Sequence, residues 1–274
     1  MRKWFEYSLD EKKKVFENQF TYSNYLLKKN SQDIIKKFKI NKLKRNELYF
    51  SQYNYFKKKI KNESLFLCSG YGLYEFFLKK KYKNFVISDS QKIYERFNKK
   101  NKLSNYKIIN VLNYKDFRKI KFVPKNIILN NVEYLFNDKK FMKCLHNIYK
   151  FSSKKTYIYI VFRSRYYTFL YFYDNFIIPF EMIIKKILFT FVFKKKIINL
   201  NLHGFRRSKK EFEILLKKYF TIKNIYEDLF TIDYNRSSII NKLNLGNILK
   251  FIFNHSHPYL HIYKLKKRSI NWKK

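Results

Sequence analysis

Residues 65–89 read "LFLCSGYGLYEFFLKKKYKNFVISD": an apolar run, two glycines one residue apart, an aromatic stretch with helical spacing, a lysine-rich break and a second apolar run that closes on an aspartate. The whole chain has only four glycines, so two in one turn mark a backbone with a special task. Glycine permits a tight turn and lets a ligand touch the main chain, and the helix that follows offers free amides at its N-terminus. A carboxylate at the end of the next strand, here Asp89, can accept both hydroxyls of a ribose. The stretch lacks the GxGxxG spacing and has no GK[ST]. It therefore describes a nucleoside site without a phosphate clamp.

Outward from this stretch the same alternation continues. Apolar runs at "SLFLCSG", "NFVISDS", "YKIINVLN", "NIILNNV" and "TYIYIVFRS" are separated by helical stretches such as "QKIYERFNKK" and "DKKFMKCLHNIYKF". Strands separated by helices of about ten residues are the mark of βαβ units and a parallel sheet, whose strand C-terminal ends form the ligand-binding rim. Before this region, residues 1–61 read as short amphipathic helices, with Phe, Tyr, Leu and Ile at three- and four-residue steps among lysines. Residues 62–274 form the α/β domain, interrupted by an aromatic, apolar insert at about 165–200. After the insert, "SKKEFEILLKKYF" reads as a helix with Ser208 as N-cap. "TIKNIYEDLF" and "PYLHIYKLKK" read as strands.

Composition narrows the function classes. The 274 residues are 46% hydrophobic and 21% aromatic, ample for a packed core and against global disorder. The formal charge of +41 is of a kind that draws nucleic acid or an anionic membrane, yet its runs ("EKKK", "FKKKIKN", "LKKKYK", "FKKKII") are spread along the chain. A dedicated nucleic-acid face would be more concentrated, so the charge reads in part as compositional drift. Cys68 and Cys144 lack both CxxC and Cys/His zinc spacing. With a charged N-terminus lacking the apolar core of a signal peptide, the expectation is a reduced, cytoplasmic protein without a metal. The most apolar stretch, "NFIIPFEMIIKKILFTFVF", is broken by Glu181, Lys185 and Lys186, so it is expected to lie on a membrane at most, not to cross one.

The order of these pieces resembles the class I S-adenosylmethionine-dependent methyltransferases, over about residues 64–163 and again over about 203–266. The resemblance implies a Rossmann-like fold: a mainly parallel seven-stranded sheet with helices on both faces, preceded by N-terminal helices and carrying the insert as a substrate lid. It implies that the glycine loop (Cys68, Ser69, Gly70, Gly72) holds the amino-acid end of S-adenosylmethionine and that Asp89 holds the ribose. By the same likeness Asn113 meets the adenine, and Asn130 and Asn131 end the fourth strand beside the transferred methyl. Glu133, Tyr134 and His203 then stand as catalytic candidates, Glu133 and His203 as bases toward an acceptor. Two departures weaken the glycine motif: Phe66 stands where the family usually has an acid, and Cys68 replaces its first glycine. "SSKK" stands in place of the usual glycine turn before the fifth strand.

Plainer readings accompany each residue. Asp89 can cap the helix that starts near Ser90; Asn113, Asn130 and Asn131 can be turn residues; Glu133 can be a surface acid; and His203 can be a helix-entry histidine. "HSHPYLH" at 255–261 reads as a loop entering a strand, and Cys68 as a packing residue of the turn. The implied activity is methyl transfer to a small-molecule or lipid-like acceptor. An RNA acceptor and a catalytically silent scaffold that binds RNA or protein remain open beside it, as does peripheral membrane contact through the insert.

Overall fold

A computed structural model describes residues 47–60, 63–79, 85–100, 102, 105–130, 132, 136–163, 207–228 and 260–269. Helix α1 (Glu47–Lys59) leads to strand β1 (Ser64–Leu67), helix α2 (Leu73–Lys79), strand β2 (Phe85–Asp89), helix α3 (Lys92–Lys100) and strand β3 (Tyr106–Ile108). A 3-10 turn (Tyr114–Lys119), strand β4 (Asn126–Asn130), helix α4 (Asp138–Phe151) and strand β5 (Tyr157–Arg163) follow. Helix α5 (Lys209–Lys217) and strands β6 (Phe220–Asp228) and β7 (Leu260–Lys267) complete the described order.

The seven strands form one sheet in the order β3-β2-β1-β4-β5-β7-β6. From β3 through β5 every pairing is parallel, and β7 runs antiparallel to both β5 and β6. This is the Rossmann-like α/β sheet that the resemblance implies, its parallel half expected from the alternation of strands and helices. All four residues of β1 and all five of β4 are buried, as strands covered on both faces must be. One face packs Phe66, Ile87, Ile128, Tyr159 and Val161 against Phe56 of α1 and Tyr74 of α2. The other packs Leu67, Ile127, Leu129 and Phe162 against Phe141 and Leu145 of α4 and Phe212 and Leu216 of α5. Each such side chain contributes about 1.5–3 kcal/mol by leaving water. Phe162 and Phe212 stack with ring centroids 4.1 Å apart, fixing α5 on β5.

Helix ends are set by short polar side chains. Asn137 opens α4 by accepting from the Lys140 amide, and Ser208 opens α5 in a reciprocal capping box with Glu211, as its sequence foreshadows. Strand β3 is shorter than "YKIINVLN" suggests. Its partner β2 ends at Asp89, so the ladder has no further strand to pair with after Asp89↔Ile108; the chain turns, with Asn113 N bonding Asn110 O. Helix α1 falls within residues 1–61 and carries Phe56 into the core. Residues 1–46 and the insert at 165–200 lie outside the described residues.

Candidate functional site

The strand C-terminal ends line one rim, and the sheet order reverses between β1 and β4, the place where open α/β sheets bind ligands. The glycine turn occupies that point. Cys68, Gly70 and Gly72 all have left-handed backbone, with φ of 57°, 56° and 71°. A side chain in this region costs about 1–2 kcal/mol, which accounts for the expectation of glycine at 68. A Cβ on Gly72 would come 3.2 Å from two carbons of Ile87, whereas a Cβ on Gly70 would meet no atom within 4 Å. Gly72 is thus required by packing as well as backbone, and the main chain at Gly70 is open to a ligand.

Asp89 fixes this turn. Its Oδ2 accepts the Gly70 amide at 3.0 Å and its Oδ1 the Ser90 amide at 2.7 Å, so it both ties β2 to the turn and caps the approach to α3. Burial raises its carboxyl above the ordinary range, and the backbone bonds from Gly70, Ser90 and Gln91 oppose that rise. The Tyr106 hydroxyl donates to Gly70 O, adding β3 to the same turn. The Ser90 hydroxyl also reaches Oδ1 at 3.4 Å, a long bond that a ribose hydroxyl can displace. Together with the open backbone at Gly70, the residues present suit a nucleoside cofactor.

Asn130, at the end of β4, is 6% exposed and fully engaged. Its Nδ2 donates to Glu75 Oε1 at 2.7 Å and to Ser69 Oγ at 3.2 Å, and its Oδ1 accepts from the Tyr74 hydroxyl at 2.5 Å. Glu75 was not among the residues singled out from the sequence. It is 1% exposed and also bonded by the Ser69 hydroxyl, and burial pushes its carboxyl up to about 8. Turn, helix and strand end therefore meet in one hydrogen-bonded group.

Cys68 packs partly buried against the core beneath the turn, and burial, with Asp89 next, pushes its thiol well up. It is an unactivated thiol. Asn113 sits as the cap of the 3-10 turn, its Oδ1 accepting from the Lys115 amide at 3.3 Å and its Nδ2 reaching Asp116 at 3.5 Å, on the rim beyond β3. Asn131, Glu133, Tyr134 and His203 lie outside the described residues, as do His255 and His257. His261 is the second residue of β7, nearly fully buried, with Nδ1 2.9 Å from Glu227 Oε1. Among the described residues no three His, Cys, Asp or Glu side chains gather as a metal-ligand group, and no helix is long and apolar enough to cross a membrane.

Comparison with solved structures finds this fold in S-adenosylmethionine-dependent methyltransferases. One from Thermotoga maritima is 12% identical with a TM-score of 0.53, the match covering 89% of this chain and 99% of that one. A TehB-like enzyme of the same kind from Corynebacterium glutamicum is 9% identical with a TM-score of 0.51, covering 87% and 98%. At such identities the likeness is one of fold. No protein-family model matches the chain, and no curated protein matches it in sequence.

Proposed function

We propose that this chain binds S-adenosylmethionine and transfers its methyl group to a small-molecule or lipid-like acceptor. The observation that carries the reading is the left-handed turn at Gly70, open above its backbone and tied to Asp89, at the point where the sheet order reverses. Asp89 would hold the ribose, the turn from Cys68 to Gly72 the amino-acid end, and Asn130 would stand nearest the methyl. When bound, the sulfonium supplies an electrophilic methyl that needs no metal.

The chain's own contribution is alignment and exclusion of water. Tyr49 and Phe56 both stack on Tyr74, with ring centroids 6.3 and 6.0 Å away, so one face of α1 lays aromatic rings along the wall that carries Asn130. Gln52 falls between them on that helix face, fully buried, with neither amide atom hydrogen-bonded. An acceptor with an apolar body and one polar group suits such a wall. Glu133, Tyr134 and His203 are the proposed acceptor-side groups. An RNA acceptor gains less support: Lys264 and Lys266, which lie over the Tyr157 ring, and Lys267 and Arg268 beyond them, stand at the opposite rim from Asp89.

Calorimetry with S-adenosylhomocysteine tests the reading. Binding is expected in the wild type and is expected to weaken by about 1–3 kcal/mol in Asp89→Ala, which removes a charged hydrogen-bond acceptor. Absence of binding to the folded wild-type chain would overturn it.

A further inference from the structure

We propose that Glu75 is the charge-sensing group of this pocket: its buried carboxyl gives up its proton when a cationic ligand occupies the rim, so that the chain prefers the methylated, sulfonium cofactor to its neutral thioether product. The inference rests on the reading of the site as an S-adenosylmethionine pocket and adds to it a specificity-determining residue.

The geometry supplies the reason. Glu75 stands on α2, one helical turn beyond the glycine turn, yet its carboxyl is bonded by Asn130 from the end of β4 and by Ser69 from the turn itself. These are the two walls of the crevice where the sheet order reverses. The titratable groups acting with it are Tyr74 on its own helix and Tyr106 on β3, with Tyr49 on α1 beside Tyr74, and Asp89 at the end of β2, Tyr94 on α3 and Cys68 in the turn beside Tyr106. Burial raises Tyr74, Tyr106 and Cys68 above their ordinary values, so all three are uncharged near neutrality. Among the described residues no cation pairs with Glu75. The buried carboxyl accordingly keeps its proton near neutrality in the free chain.

A positive charge brought to the crevice changes that balance, because an opposite charge nearby favours the ionised form. The carboxyl O–H bond breaks, the proton passes to solvent, and the carboxylate remains beside the cation. A ligand with neutral sulfur brings one positive charge fewer and leaves more of the proton in place. The sulfonium charge acts on Asp89 as well, whose carboxylate the Gly70, Ser90 and Gln91 amides already favour, and Glu75→Gln leaves Asp89 in place as the control. Each unit by which the cationic ligand lowers the Glu75 pKa corresponds to about a tenfold gain in its affinity once Glu75 is ionised.

The test measures binding of S-adenosylmethionine and of S-adenosylhomocysteine by calorimetry at about pH 6.5, in two buffers of different ionisation enthalpy. At that pH an α-amino group of pKa about 7.7–8.0 stays protonated, so released protons come from the protein. The wild type should release clearly more proton with S-adenosylmethionine than with S-adenosylhomocysteine. Glu75→Gln, which keeps the volume and the acceptor toward Asn130, should erase that difference and lower the ratio of the two affinities severalfold. Equal proton release by the wild type with both ligands, or a difference that survives in a folded Glu75→Gln, overturns the inference while binding itself leaves the cofactor reading standing. A wild type that binds neither ligand overturns both. Should the variant fail to fold, the wild-type proton difference decides alone.

Discussion

Glu75 and Glu227 sit along the same edge of the sheet and meet opposite surroundings. Glu75 lies beside β1 and β4, almost wholly buried and bonded to neutral side chains, and its carboxyl is pushed up to about 8. Glu227, near the end of β6, is 35% exposed and bonded to Lys209 Nζ at 2.7 Å and His261 Nδ1 at 2.9 Å. Burial would raise it, but Lys209 and His261 outweigh that and hold it below the ordinary range. One end of the rim has paired its charge already; the other keeps polar groups in a dry place where, among the described residues, no cation answers them. Uncompensated polarity of this kind is a poor way to stabilise a fold and a good way to prepare a ligand site.

The largest expected effect comes from breaking this contrast at Glu75. Its folded-state pKa exceeds the ordinary value of 4.5, so between about 4.5 and about 8 the unfolded chain releases a proton that the folded chain retains. Stability should therefore fall as pH rises through that window, by roughly 1.4 kcal/mol per unit. Urea unfolding of wild type and Glu75→Gln at several pH values checks this. The variant should be the less pH-sensitive of the two and the more stable near pH 8; matching slopes would remove Glu75 from its buried, protonated state.

Next in size is Asn130→Ala. Removing the amide strands the buried Tyr74 hydroxyl and takes one of its bonds from the Glu75 carboxyl, which keeps Ser69, at a cost of about 1–3 kcal/mol. Denaturation midpoints measure it, and a loss well below about 1 kcal/mol would mean that water replaces the amide. Gly72→Ala follows, at about 1–3 kcal/mol, since the new methyl must both adopt a left-handed backbone and press on Ile87 at 3.2 Å. The same substitution at Gly70 carries the backbone strain without the contact and should cost less.

The two ends of the rim also differ in how much of them could be read from the amino-acid order. The turn, Asp89 and Asn130 lie at junctions between apolar runs and helical stretches, where glycine and polar residues stand out against their neighbours. Strand alternation likewise gave the parallel half of the sheet. Glu75 carries no such mark. An acid in the first turn of a helix is normally explained by the helix dipole and an exposed position, and only the fold places Asn130 and Ser69 over it. Cys68 conceals its backbone, because nothing in its identity announces a left-handed φ of 57°. The Glu227–His261 pair depends on the register Glu227↔His261 between β6 and β7, which no local pattern encodes. "HSHPYLH" suggested a strand entry, and strand β7 does begin at Leu260.

The smallest effect belongs to the paired end of the rim. Lys209→Ala removes one partner of Glu227 from a bridge in which both side chains reach solvent, and exposed pairs of this kind contribute about 0.2–1 kcal/mol. Because the Glu227 carboxyl is held below its ordinary value, its contribution is present above about pH 4.5 and lost as pH falls through its folded-state pKa. The Lys209 substitution should therefore narrow the stability gap between neutral and mildly acidic solution by only a few tenths of a kcal/mol, and added salt at a Debye length of about 3 Å should erase most of that. Thermal unfolding of both proteins at low and high salt measures it. A salt-insensitive loss above about 2 kcal/mol would instead assign Lys209 a buried, desolvated partnership, and the opposition between a solvated, paired carboxylate at one end of the rim and a dry, unanswered one at the other would no longer hold.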